Sequence, residues 1–182
     1  ESIARGVLAM EHQTLVMKLP SLSVLSTVRA RLGEDDAGEL LQRSLKDALA
    51  TGEPQHIMPV RISRAEAAWL AADMDACRAE LKELVLLGFD KFDPWELGEL
   101  AVWWVRSEMT EPFPGADGKM ASPYAAEIRG DGEAAASEWL VAAALPQARQ
   151  CSALPAAHWL AEHSRRRGQA RQSFRAAVRP VR

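Results

Sequence analysis

The sequence predicts an all-α fold in which antiparallel helix hairpins stack side by side as an α-solenoid. Of the 182 residues, 48% are apolar, and this fraction is rich in Ala and Leu, which lose little side-chain entropy in a helix. Val, Ile and Thr do not alternate with polar residues over the length of a strand. A similar junction between two helices also occurs three times, which is typical of a repeat protein.

Proline and glycine residues divide the first half of the chain into helices of ordinary length. Pro20 is expected to close the first helix, because proline lacks the N–H that continues a helix. Gly33, Gly52 and Gly88 are typical residues at which a helix stops. The five helices predicted here cover residues 4–18, 21–32, 35–52, 56–72 and 75–87.

The sixth helix has the best-marked start. Asp93 can cap it, Pro94 fits the first helical position, and Glu96 follows three residues after the cap. A long loop with two prolines and two glycines is expected over residues 110–121. Further helices are predicted over residues 122–130 and 131–144, and a basic C-terminal capping helix over residues 165–182. We expect one domain over residues 1–182, with four or five hairpins.

The recurring junction consists of the segments RLGEDDAG, LAADMDAC and RGDGEAA. In each, a helix ends, a small residue turns the chain, acidic residues follow, and another small residue comes five positions later. The turn residues are Gly33, Ala72 and Gly130, and the later small residues are Gly38, Cys77 and Ala135. Small residues let two helices approach closely, and acidic residues suit the positive end of the second helix dipole. Three such junctions favour a solenoid, in which each hairpin packs against its neighbours.

The charge of the chain is unevenly distributed. All 25 acidic residues and 15 of the 22 basic ones lie at or before Glu162, which gives this part a net charge of about −10. The remaining seven basic residues are Arg165, Arg166, Arg167, Arg171, Arg175, Arg179 and Arg182. An acidic body argues against general nucleic-acid binding. For the basic end we expect a capping helix; a nucleic-acid contact and docking onto a second subunit are the alternatives.

Composition and spacing also argue against several classes of protein. No apolar run reaches the length of a membrane span, and no secretory signal is recognisable. Cys77 and Cys151 form no metal-binding or redox motif, so we expect two reduced thiols and a cytoplasmic protein. His158 and His163 are five residues apart, which does not place them on one helical face. We therefore expect no metal, no cofactor, no catalytic residues and no membrane partner.

Two groups of residues are candidates for a binding groove. Trp103 and Trp104 are adjacent and so point about 100° apart around their helix. One of them can line the groove as an aromatic anchor, or both can pack in the core, where we also expect Trp69 and Trp95. The second group contains charged residues that either line the groove or pair with nearby charges: Arg61, Arg64, Glu96 and Glu99. If they line the groove, Arg61 and Arg64 can hold a carboxylate or phosphate of the ligand.

Three segments resemble a known family. They are VLSTVRARLGEDDAGELLQRSLKDALATGEPQHIMPVRISRAEAAWLAAD, DPWELGELAVWW and SPYAAEIRGDGEAAASEWL. In their order and spacing they are similar to the tetratricopeptide-like (TPR-like) helical-repeat region of large bacterial LuxR-type, ATP-binding transcriptional regulators. The resemblance covers about residues 20–180 and ends in the segment SFRAAVRPV.

The resemblance implies a TPR-like superhelix that receives partner proteins or inducers. The chain contains no GxxxxGK[ST] phosphate loop and no recognisable DNA-reading module, so the resemblance implies neither ATP hydrolysis nor DNA binding. We expect a non-catalytic binding module of bacterial transcriptional regulation, with a protein, a peptide or a small inducer as its ligand. A freestanding scaffold or homodimer without a small-molecule ligand is the alternative. The apolar first helix then forms either the edge of a longer array or a dimer contact.

Overall fold

A computed structural model describes residues 2–10, 14–115 and 120–144 of the chain. Within these ranges the secondary structure is entirely helical, without strands, which confirms the all-α prediction. The fold separates into two compact units, Glu1–Gly118 and Lys119–Arg182, and the division falls inside the predicted loop 110–121. The predicted capping helix 165–182, Cys151, His158 and His163 lie outside the described residues.

The first unit is built around one central helix. Its helices are α1 (Ser2–Leu8), α2 (Leu15–Leu32), α3 (Ala37–Thr51), α4 (Pro54–Leu70), α5 (Met74–Val85) and α6 (Pro94–Arg106), with a short 3₁₀ turn (Phe89–Lys91) before α6. Helix α4 packs against α2, α3, α5 and α6. Adjacent helices along the chain, α2 with α3 and α4 with α5, also pack against each other.

Helix α4 contributes to both apolar clusters of this unit. Its Met58, Ile62 and Ala65 pack with residues of α5 and α6, among them Leu81 and Leu100. Its Ile57 and Val60 pack with Leu19 of α2 and Ala48 of α3. Fully burying a side chain of this size stabilises the fold by about 1.5–3 kcal/mol, so α4 holds the neighbouring helices together.

The three recurring junctions have the same backbone geometry. Their turn residues Gly33, Ala72 and Gly130 all have positive φ, at 71°, 59° and 78°. At each junction the residue after the turn donates its N–H to a carbonyl oxygen five residues earlier, as in Glu34 to Arg29 (3.0 Å) and Asp73 to Ala68 (2.9 Å). This is the pattern of a Schellman motif, which ends a helix and turns the chain.

Pro20 does not end a helix, contrary to the sequence prediction. The helix that contains Pro20 instead begins at Leu15, and α2 continues through Pro20 to Leu32. Proline removes one backbone hydrogen bond, but Leu19 and Leu22 on either side of it are both buried. Packing of these neighbours therefore keeps α2 continuous across the proline.

The predicted start of α6 is confirmed in detail. The Asp93 side chain accepts hydrogen bonds from the backbone N–H groups of Trp95 (2.7 Å) and Glu96 (2.9 Å). Glu96 completes the capping box, because its Oε2 accepts the backbone N–H of Asp93 at 3.0 Å. These bonds satisfy donors that have no partner within the helix. They fix where α6 begins and hence which of its residues face α4.

The second unit contains α7 (Ser122–Arg129) and α8 (Gly132–Ala144). The buried Trp139 of α8 packs edge to face against Tyr124 of α7, with ring centroids 4.8 Å apart. Ser122 also donates its hydroxyl hydrogen to Glu138 at 2.8 Å. These contacts join α7 and α8 as a helix pair with a junction of the type described above.

Candidate functional site

Charged residues from three helices that are not consecutive meet on one side of the first unit. Arg31 of α2 holds Glu66 of α4 with two hydrogen bonds, from Nε to Oε1 at 2.5 Å and from Nη2 to Oε2 at 3.0 Å. Glu99 and Arg106 of α6 add their charges to the same group. We call this surface, with Trp69 of α4, the α2–α4–α6 face, defined by Arg31, Glu66, Trp69, Glu99 and Arg106.

Glu99 is the least compensated charge on this face. Its side chain is partly buried, and within the described part of the chain no hydrogen bond or ion pair within 4 Å reaches its carboxylate. Burial, and then the negative charge of Glu66, raise the pKa of Glu99 to about 7, although Arg106 and Arg31 act in the opposite direction. Burial and Glu66 therefore disfavour the ionised carboxylate more than Arg106 and Arg31 favour it.

Aromatic side chains continue the face along α4 and α6. The rings of Trp69 and Trp103 meet edge to face, with centroids 6.0 Å apart. The guanidinium carbon of Arg106 lies 4.9 Å from the centroid of the Trp103 ring, which is a cation–π distance. Trp103 is only 6% exposed, but Trp69 is 42% exposed. Trp69 therefore presents part of its ring to solvent one helical turn from Glu66.

The two adjacent tryptophans of α6 both lie in the core. Trp104, like Trp103, is 6% exposed, and its Nε1–H donates to the carbonyl oxygen of Glu111 at 2.8 Å. Its ring also packs against Phe113, with centroids 5.8 Å apart. Of the two arrangements that the sequence allows, the structure shows the one in which both pack. The expectation that Trp69 and Trp95 are core residues was wrong, since both are about two-fifths exposed.

Arg61 and Arg64 join α4 to α5. Glu80 receives a hydrogen bond from Arg61 Nη1 at 2.7 Å and another from Arg64 Nε at 2.6 Å. Arg61 also reaches Glu83, and Arg64 also reaches Gln42. Both arginines are thus paired with nearby groups, the second arrangement that the sequence allows. Their positive charge is largely neutralised within the chain.

A shallow cleft of about 180 Å³ lies beside this ion pair. Helices α3, α4 and α5 line it with Gly38, Leu41, Arg64, Ala67, Ala68, Ala76 and Glu80. Small ligands typically occupy pockets of about 300–1,000 Å³. The cleft is too small for such a ligand, and it does not include any residue of the α2–α4–α6 face.

Of the four charged candidates, Glu99 alone has no hydrogen bond or ion pair to another residue that the structure describes. Glu96 serves the capping box of α6, and the two arginines bind Glu80. Sequence reasoning missed Arg31 and Arg106 as members of the face. The 35-residue separation of Arg31 and Glu66 leaves no local pattern that pairs them. The period of α6 could have placed Glu99 and Arg106 on one side of the helix, since they are seven residues apart.

The described ranges contain neither a metal site nor a membrane-spanning helix. No group of three His, Cys, Asp or Glu side chains there is arranged to hold a metal ion. None of the helices described is both long and apolar enough to cross a membrane.

Comparison with known proteins returns no match: no protein-family model, curated protein or solved structure is significantly similar to this chain.

Proposed function

We propose that the chain is a non-catalytic binding module whose helix hairpins form a TPR-like solenoid and bind a protein or peptide on the α2–α4–α6 face. The observation that carries this proposal is the convergence of Arg31, Glu66 and Glu99 from three separate helices. A partner that lies across these helices contacts all of them at once. The partly exposed Trp69 adds the kind of aromatic surface that dominates many interfaces.

The resemblance to the helical-repeat region of LuxR-type regulators supports a regulatory setting for this binding. In that setting the module works in the cytoplasm and receives a partner protein or a small inducer. The shared geometry of the three junctions supports the repeat architecture, because each junction turns the chain in the same way. Glu99 has no hydrogen-bonded serine, cysteine or histidine beside it among the described residues, so we propose binding rather than catalysis.

The experiment is a capture from bacterial lysate on the immobilised full chain, followed by mass spectrometry. Trp69→Ala and Glu99→Gln are compared with Leu86→Ala, which removes an apolar side chain that is 78% exposed and lies at the end of α5. We expect both variants of the face to lose the captured partner, while Leu86→Ala keeps it and all three retain helical circular dichroism. Capture that is equal in all variants would rule out the α2–α4–α6 face as the binding surface.

A second candidate function, homodimerisation as a scaffold, has a separate observation in its favour. The first turns of α2 expose three consecutive apolar side chains, Leu15, Val16 and Met17, and Val24 is exposed further along the helix. Exposed apolar patches often mark interaction sites. Native mass spectrometry over a hundredfold range of protein concentration tests this function, since a scaffold of this kind must form a concentration-dependent dimer.

A further inference from the structure

We infer that the α2–α4–α6 face takes a basic ligand: a lysine or arginine side chain of a partner peptide, bound at the Glu99 carboxylate with its aliphatic stem against Trp69. This inference rests on the proposed function and specifies the chemistry of the partner. Long basic side chains suit such a position, because they can lay an apolar stem on an aromatic ring while the charged end reaches a carboxylate.

The charges on the face argue for a cation. Arg31 is already engaged by both carboxylate oxygens of Glu66. Arg106 lies over the Trp103 ring. The charged groups that act on Glu99 are two acids and two bases: Glu66 of α4, Glu96 and Arg106 of α6, and Arg31 of α2. With Glu99 itself, three carboxylates face two guanidinium groups, so an incoming anion is repelled and a cation attracted.

The local environment of Glu99 argues for the same ligand. Among the described residues no donor reaches this partly buried carboxylate, so it has lost water there and gained little in return. A lysine ammonium or arginine guanidinium supplies both the missing donors and the missing positive charge. Trp69 lies on the same side of the unit, because its ring meets that of Trp103 edge to face and Trp103 lies one helical turn beyond Glu99.

Binding of a cation at this position is linked to a proton. The raised pKa of Glu99, about 7, means that the carboxyl group is mostly protonated at pH 6 and mostly ionised at pH 8. Only the ionised form attracts a cation, so the affinity should rise about tenfold between these two pH values. Lysine and arginine stay charged over this range, and an effect of pH therefore reports on the protein.

The test uses the full chain and a capped tetralysine peptide, with a capped tetraglutamate peptide of equal length as the control ligand. Binding is followed by two-dimensional NMR of the tryptophan indole N–H signals, with the Trp69 signal assigned from Trp69→Phe. Glu99→Gln is matched by Glu39→Gln, which removes the same charge from an exposed position at the start of α3.

We expect tetralysine to shift the Trp69 signal and tetraglutamate to leave it unchanged. Glu99→Gln should weaken tetralysine binding at least fivefold at pH 8, and the affinity of this variant should no longer depend on pH. Glu39→Gln should change the affinity at pH 8 by less than twofold and keep its dependence on pH. Equal weakening by both variants would show diffuse attraction to an acidic surface and would overturn the inference. Absence of binding, or preference for tetraglutamate, would overturn it as well.

The two proposals can fail separately. If capture of a lysate partner depends on Trp69 but excess tetralysine does not displace that partner, the face binds a ligand of other chemistry, and only the basic-ligand inference fails. If capture does not depend on the face and tetralysine does not bind, both fail.

Discussion

At the scale of single residues, Glu99 makes the stability of the protein depend on pH. Its pKa is about 7 in the folded chain, against an ordinary value of 4.5. Between these values the folded state binds more protons than the unfolded state. The free energy of unfolding therefore falls as the pH rises from about 4.5 to about 7, and the loss is complete above pH 7.

Glu99→Gln should remove this loss, because the amide side chain carries no charge at any pH. The difference in unfolding free energy between variant and parent should therefore be about 1–3 kcal/mol more favourable to the variant at pH 8 than at pH 5. Urea denaturation at both pH values measures the change. Glu39→Gln serves as the control and should show no such trend. A difference between Glu99→Gln and the parent that is the same at pH 5 and pH 8 would contradict the raised pKa.

Trp104 should matter for stability, because the side chain is buried against Phe113 and hydrogen-bonded to the backbone of Glu111. Trp104→Ala should lower the free energy of unfolding by about 3–5 kcal/mol through the cavity it leaves. Trp104→Phe should cost less, since it keeps an aromatic ring and loses mainly the hydrogen bond and some volume. Chemical denaturation measures both variants. A loss below about 1 kcal/mol for Trp104→Ala would show that the ring is not part of the core.

At the scale of helices, the capping box tests how α6 is held in position. Asp93→Ala should destabilise the protein by about 1 kcal/mol, because two backbone N–H groups lose their acceptor. Asp93→Asn keeps an acceptor oxygen and should lose only a fraction of this. Thermal unfolding followed by circular dichroism compares the two. Equal destabilisation by both variants would assign the effect to the charge rather than to the hydrogen bonds.

The link between α4 and α5 depends on a carboxylate shared by two arginines. Glu80 is 12% exposed, so Glu80→Ala removes the buried carboxylate that Arg61 and Arg64 share, leaves them only the more exposed Glu83 and Gln42, and should cost about 2–4 kcal/mol. Glu83 binds Arg61 as well but is 52% exposed. Glu83→Ala should therefore cost less than about 1 kcal/mol. Urea denaturation decides between them, and similar losses would mean that burial does not set the strength of these pairs.

Local signals in the sequence located most of the helices, while packing between distant segments decided the site. The caps of α6 and the turns at Gly33 and Gly130 follow from a few adjacent residues, and all were predictable. The continuation of α2 through Pro20 depends on the burial of Leu19 and Leu22, which a local rule for proline does not contain.

The candidate site shows the same limit. Glu99 could be proposed from its place on α6, but its partners could not. Arg31 reaches Glu66 across 35 residues, and only the packing of α2 on α4 makes this contact. Whether Arg61 points to a ligand or to Glu80 likewise depends on how α5 lies against α4, and the residues near Arg61 in sequence do not determine that.

At the scale of the whole molecule, the second candidate function predicts how copies of the chain associate. Met17 is 60% exposed within an apolar stretch of α2, so Met17→Lys should weaken a dimer formed there at least tenfold, because a charge would enter an apolar contact. Leu86→Lys introduces the same charge elsewhere and should have no effect. Sedimentation equilibrium measures the dissociation constants. A parent chain that stays monomeric at about 0.1 mM, which limits any dimerisation to dissociation constants above this value, would exclude this function.

Ala72 is the one junction residue of the three that is not glycine, although its φ of 59° lies in the left-handed region. An L-residue with a Cβ atom is strained there, whereas glycine is not. Replacing Ala72 with glycine would relieve this strain but give the unfolded chain more freedom, for a net gain of about 0.5 kcal/mol. For protein engineers, this junction therefore offers a starting point for idealised versions of the hairpin, which could be joined end to end into arrays of chosen length.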